Sequence, residues 1–309
     1  MTAATVSRLG LVNNTGTDFT ALMLKVFAGE VLTTFEANNI FKPLHNVRSI
    51  SSGKSAQFPV IGTATAASHT PGAELVGTAI KHNEKVITID DLLVADVFIA
   101  NIDEAMNHYD VRSAYSSELG TILANTYDKH VAQTGCLAAR AAATITGGNG
   151  GTQVSHVDMD DTGTRLATSI FTAAQTLDEK DIPENDRYCV LRPAQYYLVA
   201  QTTDVLNRDW GGSGAYAEGS VLKVAGIHIV KSNHLPSTNI TTGDADYQGD
   251  FSKTQALVWH KSAMGTASLM NVQTESAYDI RRQGSLLVGK YLCGHGILRP
   301  ECAVELLIT

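Results

Sequence analysis

The feature that most restricts how this chain can fold is a long, proline-free helical periodicity that begins near residue 101. Ile102, Met106, Tyr109, Tyr115, Leu119, Ile122, Leu123, Tyr127 and Val131 recur mainly at spacings of three and four, which marks one apolar helix face. Asn101 stands where a cap is expected, and Glu104 three residues later completes a capping box. Asp103 and Glu104 at the start, with Lys129, His130 and Arg140 towards the end, match the helix dipole. The pattern predicts a helix from Asp103 to about Ala141, with a bend at Gly120. At 1.5 Å per residue it reaches roughly 58 Å. That is longer than a globular helix usually runs, so it reads as a spine.

Upstream, residues 1 to about 50 are rich in Ser, Thr, Asn and Ala, with one compact apolar segment, Ala21–Phe35. This reads as an extended arm with a short helix, and such an arm must order itself on something else. From Ser51 to Asp91 two strand-like runs, Ala56–Thr65 and Ala79–Ile89, flank a tip containing His69, Pro71 and Gly72. Pro-Gly signals a turn. A two-stranded hairpin is marginal in water, and ordering it costs roughly 1–2 kcal/mol per residue. It must therefore lie against something, either its own domain or a neighbouring molecule.

Downstream, Gly147–Gly151 is the clearest linker. The pattern then predicts a helix at Thr164–Leu177, a strand at Arg187–Leu191, a helix from Pro193 to Gln201, and a strand-turn-strand at Val221–Lys231 that turns at Ala225-Gly226. A Thr-, Asp- and Gly-rich loop follows at Ser237–Asp250. The last sixty or so residues read as strands: Ala256–His260, Thr266–Ser276, Ser285–Cys293 and Cys302–Ile308. Runs of helix followed by runs of strand imply an α+β architecture.

Composition narrows the function. Charged residues are 17% of the 309, against a typical soluble average of about 25%; a low charged fraction suits a surface covered by partners. The net charge is −8 and no Lys/Arg run occurs, so gripping a nucleic-acid backbone is not expected. The four cysteines form no CxxC pair and fit reduced packing residues. Met1–Gly10 lacks the charged and apolar regions of a signal peptide, and no apolar run of about 18 residues occurs to span a membrane.

Catalytic motifs fail when examined. Ser52-Gly53-Lys54-Ser55 echoes a phosphate loop, but Arg48 occupies the first glycine position, and Gln57-Phe58-Pro59-Val60 follows where a helix must open. Asp158 to Gly163 resembles the start of a calcium loop, but Ser169 stands where the bidentate Glu belongs; these acids read as caps for the following helix. Asp244, Asp246 and Asp250 read as a solvated loop. The ten histidines show no zinc spacing, and His295, between Gly294 and Gly296, reads as a lone structural turn residue. No catalytic residue, cofactor or metal is expected.

Four blocks are more specific. Val47–Val60, Glu84–Asp90, Ala105–Ser113 and Gly294–Gly296 with Leu298–Glu301 closely resemble, in order, the major capsid proteins of T-seven-like podoviruses, the short-tailed bacteriophages. The likeness runs from about Leu22 to the end and is weakest between about 144 and 250. It implies the Hong Kong ninety-seven phage capsid fold: an N-terminal arm at 1–50, an extended hairpin loop at 51–90, a peripheral domain with the spine helix at 91–145, an axial domain at 146–254, and peripheral strands at 255–309. The implied function is self-assembly into hexamers and pentamers of an icosahedral head around double-stranded DNA. A scaffolding protein, a portal at one vertex and DNA held without sequence-specific binding are the implied partners. Arg48, Lys54, Phe58, His69, Pro71, Arg112, Arg299 and Glu301 become candidate intersubunit contacts. Some shells of this fold carry Lys–Asn cross-links; no matching constellation surrounds Lys54, so the shell is expected to dissolve to monomers in denaturing gels. The alternatives are an encapsulin-like cellular compartment, recognised by its cargo peptide, and a nucleotide-binding enzyme, recognised by a deep pocket.

Overall fold

The computed structural model describes residues 30–309 except 37, 63–65, 67, 73, 75–76, 78, 103–110, 146 and 203–222, with the side chains of 111 and 112 also outside the description. The chain divides into two compact units.

The first unit contains the described residues up to Asn39, with Asp91–Tyr127 and Met270–Cys293. Residues 30–36 form helix α1, in agreement with the end of the predicted arm helix; the rest of that prediction lies outside the described residues. Helix α2 runs Val111–Arg140, about 45 Å. Its half up to Tyr127 belongs here. Gly120 is the point of close approach to α1: a Cβ there would stand 2.8 Å from the Val31 carbonyl oxygen. Asn101 does not cap the spine helix, since it is itself helical and its side-chain amide donates to the Tyr278 hydroxyl at 2.9 Å; Glu104 lies outside the described residues. A strand without a sequence-based expectation, β4 (Leu93–Ala100), pairs antiparallel with β13 (Gly284–Ile297), which is paired in turn with β12 (Met264–Asp279). Val31, Leu119 and Leu287 form the core with Ala95, Val97, Ile99 and Val272. Alternation along β4 places these residues on one sheet face. Phe35, Tyr127 and Tyr291 close the core end with ring centroids 5.8–6.2 Å apart, within the range of edge-to-face aromatic packing.

The second unit is Ile40–Asp90, Asp128–Leu269 and Gly294–Thr309. Its six-stranded mixed sheet has the order β5 (Thr152–His156), β14 (Ala303–Ile308), β11 (Thr254–His260), β6 (Arg187–Leu191), β8 (Ile227–Lys231), β7 (Lys223–Val224). Within the loop expected at 237–250 the short strands β9 (Asn239–Ile240) and β10 (Gly249–Asp250) pair antiparallel. Ala256, Leu257, Val258 and Trp259 are fully buried; such a continuous apolar run belongs to a strand covered on both faces. The distal half of α2 is lined by Ala132, Gly135, Cys136, Ala138 and Ala139, all buried. An added Cβ at Gly135 would lie 2.6 Å from Leu257, so small residues let the helix sit close on β11. Helix α3 (Gly163–Glu179) packs on β5 and β7 and against α4 (Pro193–Ala200), whose proline occupies the first turn. The turn between β7 and β8 has Ala225 and Gly226 at positive φ, 52° and 76°, as a two-residue hairpin requires. The acids before α3 do not cap it: the cap residue is Thr162, without a side-chain cap bond, and the Asp158 backbone amide donates to His156 Nδ1 at 3.1 Å. All four cysteines are buried and unbridged.

A charged knot secures this unit. Arg140 grips Glu305 with both arms of its guanidinium, at 2.7 and 2.6 Å. Thr254 and Gln153 also donate to that carboxylate, at 2.6 and 3.0 Å, and Arg140 donates to the Asp250 carbonyl at 2.7 Å. The carboxylate is fully buried and its acceptor sites are served by four donors, the condition under which a buried ion pair is tolerated. The last turn of α2 is thereby tied to β14, β11 and β5. Among the described residues no helix is long and apolar enough to cross a membrane.

Candidate assembly elements

The hairpin predicted from its Pro-Gly tip is present in the second unit. Strand β2 (Ser55–Ile61) pairs antiparallel with β3 (His82–Thr88), in register from Ser55–Thr88 to Ile61–His82. The pairing is shorter than expected: residues 79–81 are not strand, and residues 63–65 lie outside the described residues. Of fourteen strand residues only Ala56 and Ile87 are buried. Ile61, Ile80 and Val86 are 65%, 42% and 48% exposed. Among the described residues the two strands pair only with each other, and both faces stand open over most of their length.

The root is anchored by packing, and near the far end Asn83 of β3 donates to the Thr144 carbonyl at 2.6 Å. Ala56 and Ile87 pack with Ala267 and Leu298, joined by the half-buried Phe58 and Ile50. Glycines make room for this: a Cβ on Gly294 would lie 1.9 Å from the Thr88 carbonyl oxygen, and one on Gly296 would lie 2.7 Å from the Ile87 side chain. The Gly-His-Gly motif thus has a packing cause. The neighbouring strand β1 (Asn46–Ser49), which was not expected from sequence, pairs parallel with the first residues of β12. From it Arg48 donates to the Gln57 carbonyl at 2.7 Å and lies over the Phe58 ring at 5.7 Å.

Seven of the eight sequence-nominated residues fall into three groups. Arg48 and Phe58 meet at the root; Arg299 and Glu301 form an ion pair at 2.8 Å on one turn. His69 and Pro71 are exposed at the tip, and Lys54 is exposed where β2 begins. The residues after Lys54 form strand β2, so no helix N-terminus stands there to receive a phosphate. Arg112 lies on α2, and its side chain is outside the description.

His295 is neither a turn residue nor alone. It lies in β13, 6% exposed, and its Nδ1 is 2.7 Å from the Thr266 hydroxyl, which is also 2.7 Å from His45 Nε2. His45 Nδ1 is 2.7 Å from the Phe41 carbonyl. The His295 backbone amide donates to the Tyr247 hydroxyl at 3.0 Å, and that hydroxyl donates to the Asp90 carboxylate just past β3. His130 of α2 stacks on the Tyr247 ring with centroids 4.3 Å apart. Burial pushes His45 down to about 4 and His295 well below the usual imidazole range, and lowers His130. Nearby, Asp128 accepts from the Ile40 and Phe41 amides at 2.8 and 3.1 Å, while burial raises its acid to about 6. Sequence reasoning missed all of these except His295, because His45, Asp90, His130, Tyr247 and Thr266 are far apart along the chain. Among the described residues no group of acidic, His and Cys side chains is arranged to hold a metal.

An exposed hairpin on a glycine-cleared root, a spine helix and a mixed-sheet unit have close counterparts among known proteins. The family model described as "Gp10A-like: Major capsid protein" matches residues 57–307. The major capsid protein of Escherichia phage T7 is 35% identical over 315 residues, covering 93% of this chain and 91% of that protein. The capsid structure of the cyanophage P-SCSP1u superposes with a TM-score of 0.81 and 49% identity, covering 100% of this chain and 99% of that one. The mature capsid of bacteriophage PhiM1, at 21% identity, shares the fold with a TM-score of 0.74 over 88% of this chain and 87% of that one. The chain has the α+β Hong Kong ninety-seven-like capsid fold, and it belongs to the Gp10A-like family of major capsid proteins, the shell proteins of phage virions.

Proposed function

We propose that the chain closes into hexamers and pentamers of an icosahedral head, each hairpin lying across a neighbouring subunit. The observation that carries this is the hairpin itself, with two buried side chains in fourteen and exposed Ile61, Ile80 and Val86. Ordering those residues costs roughly 1–2 kcal/mol each, and two buried side chains at roughly 25 cal/mol per Å² do not offset it. Burial on a second subunit does. His69, Pro71 and Lys54 are then contact residues of the hairpin, and Arg112, Arg299 and Glu301 belong to the receiving surfaces. Arg48, occupied within its own chain, aims Phe58 and the strand. In the same reading residues 1–50 are the arm, 51–90 the extended loop, 146–254 the axial domain, and 91–145 with 255–309 the peripheral domain.

A scaffolding protein templates the shell, a portal occupies one vertex, and double-stranded DNA fills it without sequence-specific contacts. The net charge of −8 suits a wall that does not hold its cargo. The protein acts by assembly and performs no catalysis. Electron microscopy of the purified chain, with and without the scaffolding protein of the same genome, tests the reading. Closed shells or capsomer rings are expected, and a chain lacking residues 66–77 should remain folded and soluble but form none. Normal shells from that deletion would overturn the overlap.

A further inference from the structure

The polar chain at the hairpin root has one allowed arrangement of its protons when every member is neutral. A carbonyl oxygen only accepts, so the Phe41 carbonyl requires a proton on His45 Nδ1. His45 Nε2 is then an acceptor, and the Thr266 hydroxyl must donate its single proton to it. With that proton used, Thr266 Oγ1 receives from His295 Nδ1, which therefore carries a hydrogen. One added proton is accommodated: His45 becomes doubly protonated, Thr266 reverses and donates to His295 Nδ1, and His295 carries its hydrogen on Nε2. A second added proton is not. Both imidazoles would then point N–H groups at the same hydroxyl, whose own hydrogen would have no acceptor between them.

We propose that this His45–Thr266–His295 chain, continued through Tyr247 to Asp90, is a two-proton, acid-released latch on the root of the hairpin. Displacing His295 moves the backbone amide that donates to Tyr247 Oη, and Tyr247 in turn donates to Asp90 two residues beyond β3. The members are enclosed: Thr266, His45, Tyr247 and His295 are 0%, 2%, 3% and 6% exposed. The charges facing them resist protonation unevenly. Burial holds His45 down, aided by Lys261; burial holds His295 down, aided by His45 and His130; Lys129 acts with burial on His130, while Asp244 opposes it. Asp128 of α2 accepts from the Phe41 amide, and Asp90 faces Tyr247. The open root takes both protons at the ordinary 6.5, whereas the closed one takes its first only at about 4 and its second lower still. The latch is therefore whole above about pH 6.5 and weakens with a two-proton slope as pH falls from there towards 4. The latch belongs to a single chain, so it stands or falls separately from the overlap of hairpins.

Hydrogen exchange of the full-length chain, read on peptides covering 85–90 and corrected for intrinsic rates, tests it. The expected result is an exchange at least tenfold faster at about pH 4 than at about pH 7, with two-proton steepness, while peptides covering 254–260 stay protected. Tyr247→Phe should show the fast exchange already at about pH 7. Thr266→Ser should keep the two-proton release, and Thr266→Val should reduce it to one. If Thr266→Val does not fold, imidazole carbon shifts of the unmodified chain decide, with Nδ1–H on both histidines expected at neutral pH. An unchanged root between the two pH values, a rise shared by 254–260, a Tyr247→Phe chain with normal root protection, or an Nε2–H tautomer on either histidine would each overturn the latch.

Discussion

Strand β11 and the hairpin β2–β3 lie in the same unit, yet β11 buries six of its seven side chains and the hairpin two of its fourteen. β11 has a strand on each edge, β14 and β6, and the small-residue face of α2 upon it. Among the described residues the hairpin strands pair only with each other. The outer edges of the hairpin therefore lack ladder partners among the described residues, and less apolar area is removed from water. A strand of the first kind is stabilised by its own chain. One of the second kind is a surface waiting for a partner, and its composition records that: Lys85, Glu84, Gln57 and Pro59 interleave with Val60, Ile61 and Val86, a pattern that discourages edge-to-edge aggregation.

Substitutions ranked by their effect on the isolated subunit sharpen this contrast. Trp259→Ala should be the most damaging, since the ring is fully buried, stands edge-on to Phe41 at 5.7 Å and donates to the Leu44 carbonyl at 3.0 Å. A loss of about 3–5 kcal/mol is expected in chemical denaturation. Glu305→Ala should cost about 3 kcal/mol by the same measurement, because it strands Arg140 and two further donors. A loss below about 1 kcal/mol in either variant would mean that the β11 layer is not the stabilising half of the comparison.

A pH series should produce an effect of similar size but opposite sign in two groups. His45, held down to about 4, contributes stability above its unfolded 6.5 that is lost as pH falls through 4. Asp128, raised to about 6 from 3.8, contributes stability below 3.8 that is lost as pH rises through 6. The two oppose each other between about pH 4 and 6. Asp128→Asn removes one of them, so its denaturation free energy should fall by about 3 kcal/mol more than that of the unmodified chain on going from about pH 6.5 to 4.

Gly294→Ala should cost less in global stability than the core variants but should detach the root, because its Cβ would meet the Thr88 carbonyl. Limited proteolysis between Ser55 and Thr88 should become severalfold faster while far-ultraviolet circular dichroism is unchanged. Smallest of all for the subunit, the double variant Ile61→Ser with Val86→Ser should shift denaturation by less than about 0.5 kcal/mol, and yet reduce closed shells in electron micrographs. Destabilisation of the subunit by several kcal/mol would mean that the hairpin is packed on its own chain after all.

Local pattern reached far in this chain. The spacing of Leu119, Leu123, Tyr127 and Val131 marked the spine, Ala225-Gly226 the tight turn, and Pro71-Gly72 the hairpin, because periodicity and positive φ are properties of a few adjacent residues. It failed where stabilisation came from distant partners. β1 carries little strand signal of its own and is a strand because β12 supplies its ladder, whereas β4, missed by the sequence reading, is rich in Val, Phe and Ile and pairs with β13. Asn101 carries a cap signal that is overridden by a hydrogen bond to Tyr278, 177 residues away.

The sequence by itself determined the α+β class, the spine, the hairpin and, through four ordered blocks, the family; that the hairpin stands exposed is seen only in the structure. Only the tertiary structure decided which charges and protons share a site. Arg140 and Glu305, His45 and Thr266, and Thr266 and His295 are separated by 165, 221 and 29 residues, and no short-range pattern couples positions that far apart. Their pairing follows from burial: a polar group removed from water must find a partner wherever the packed core brings one within reach.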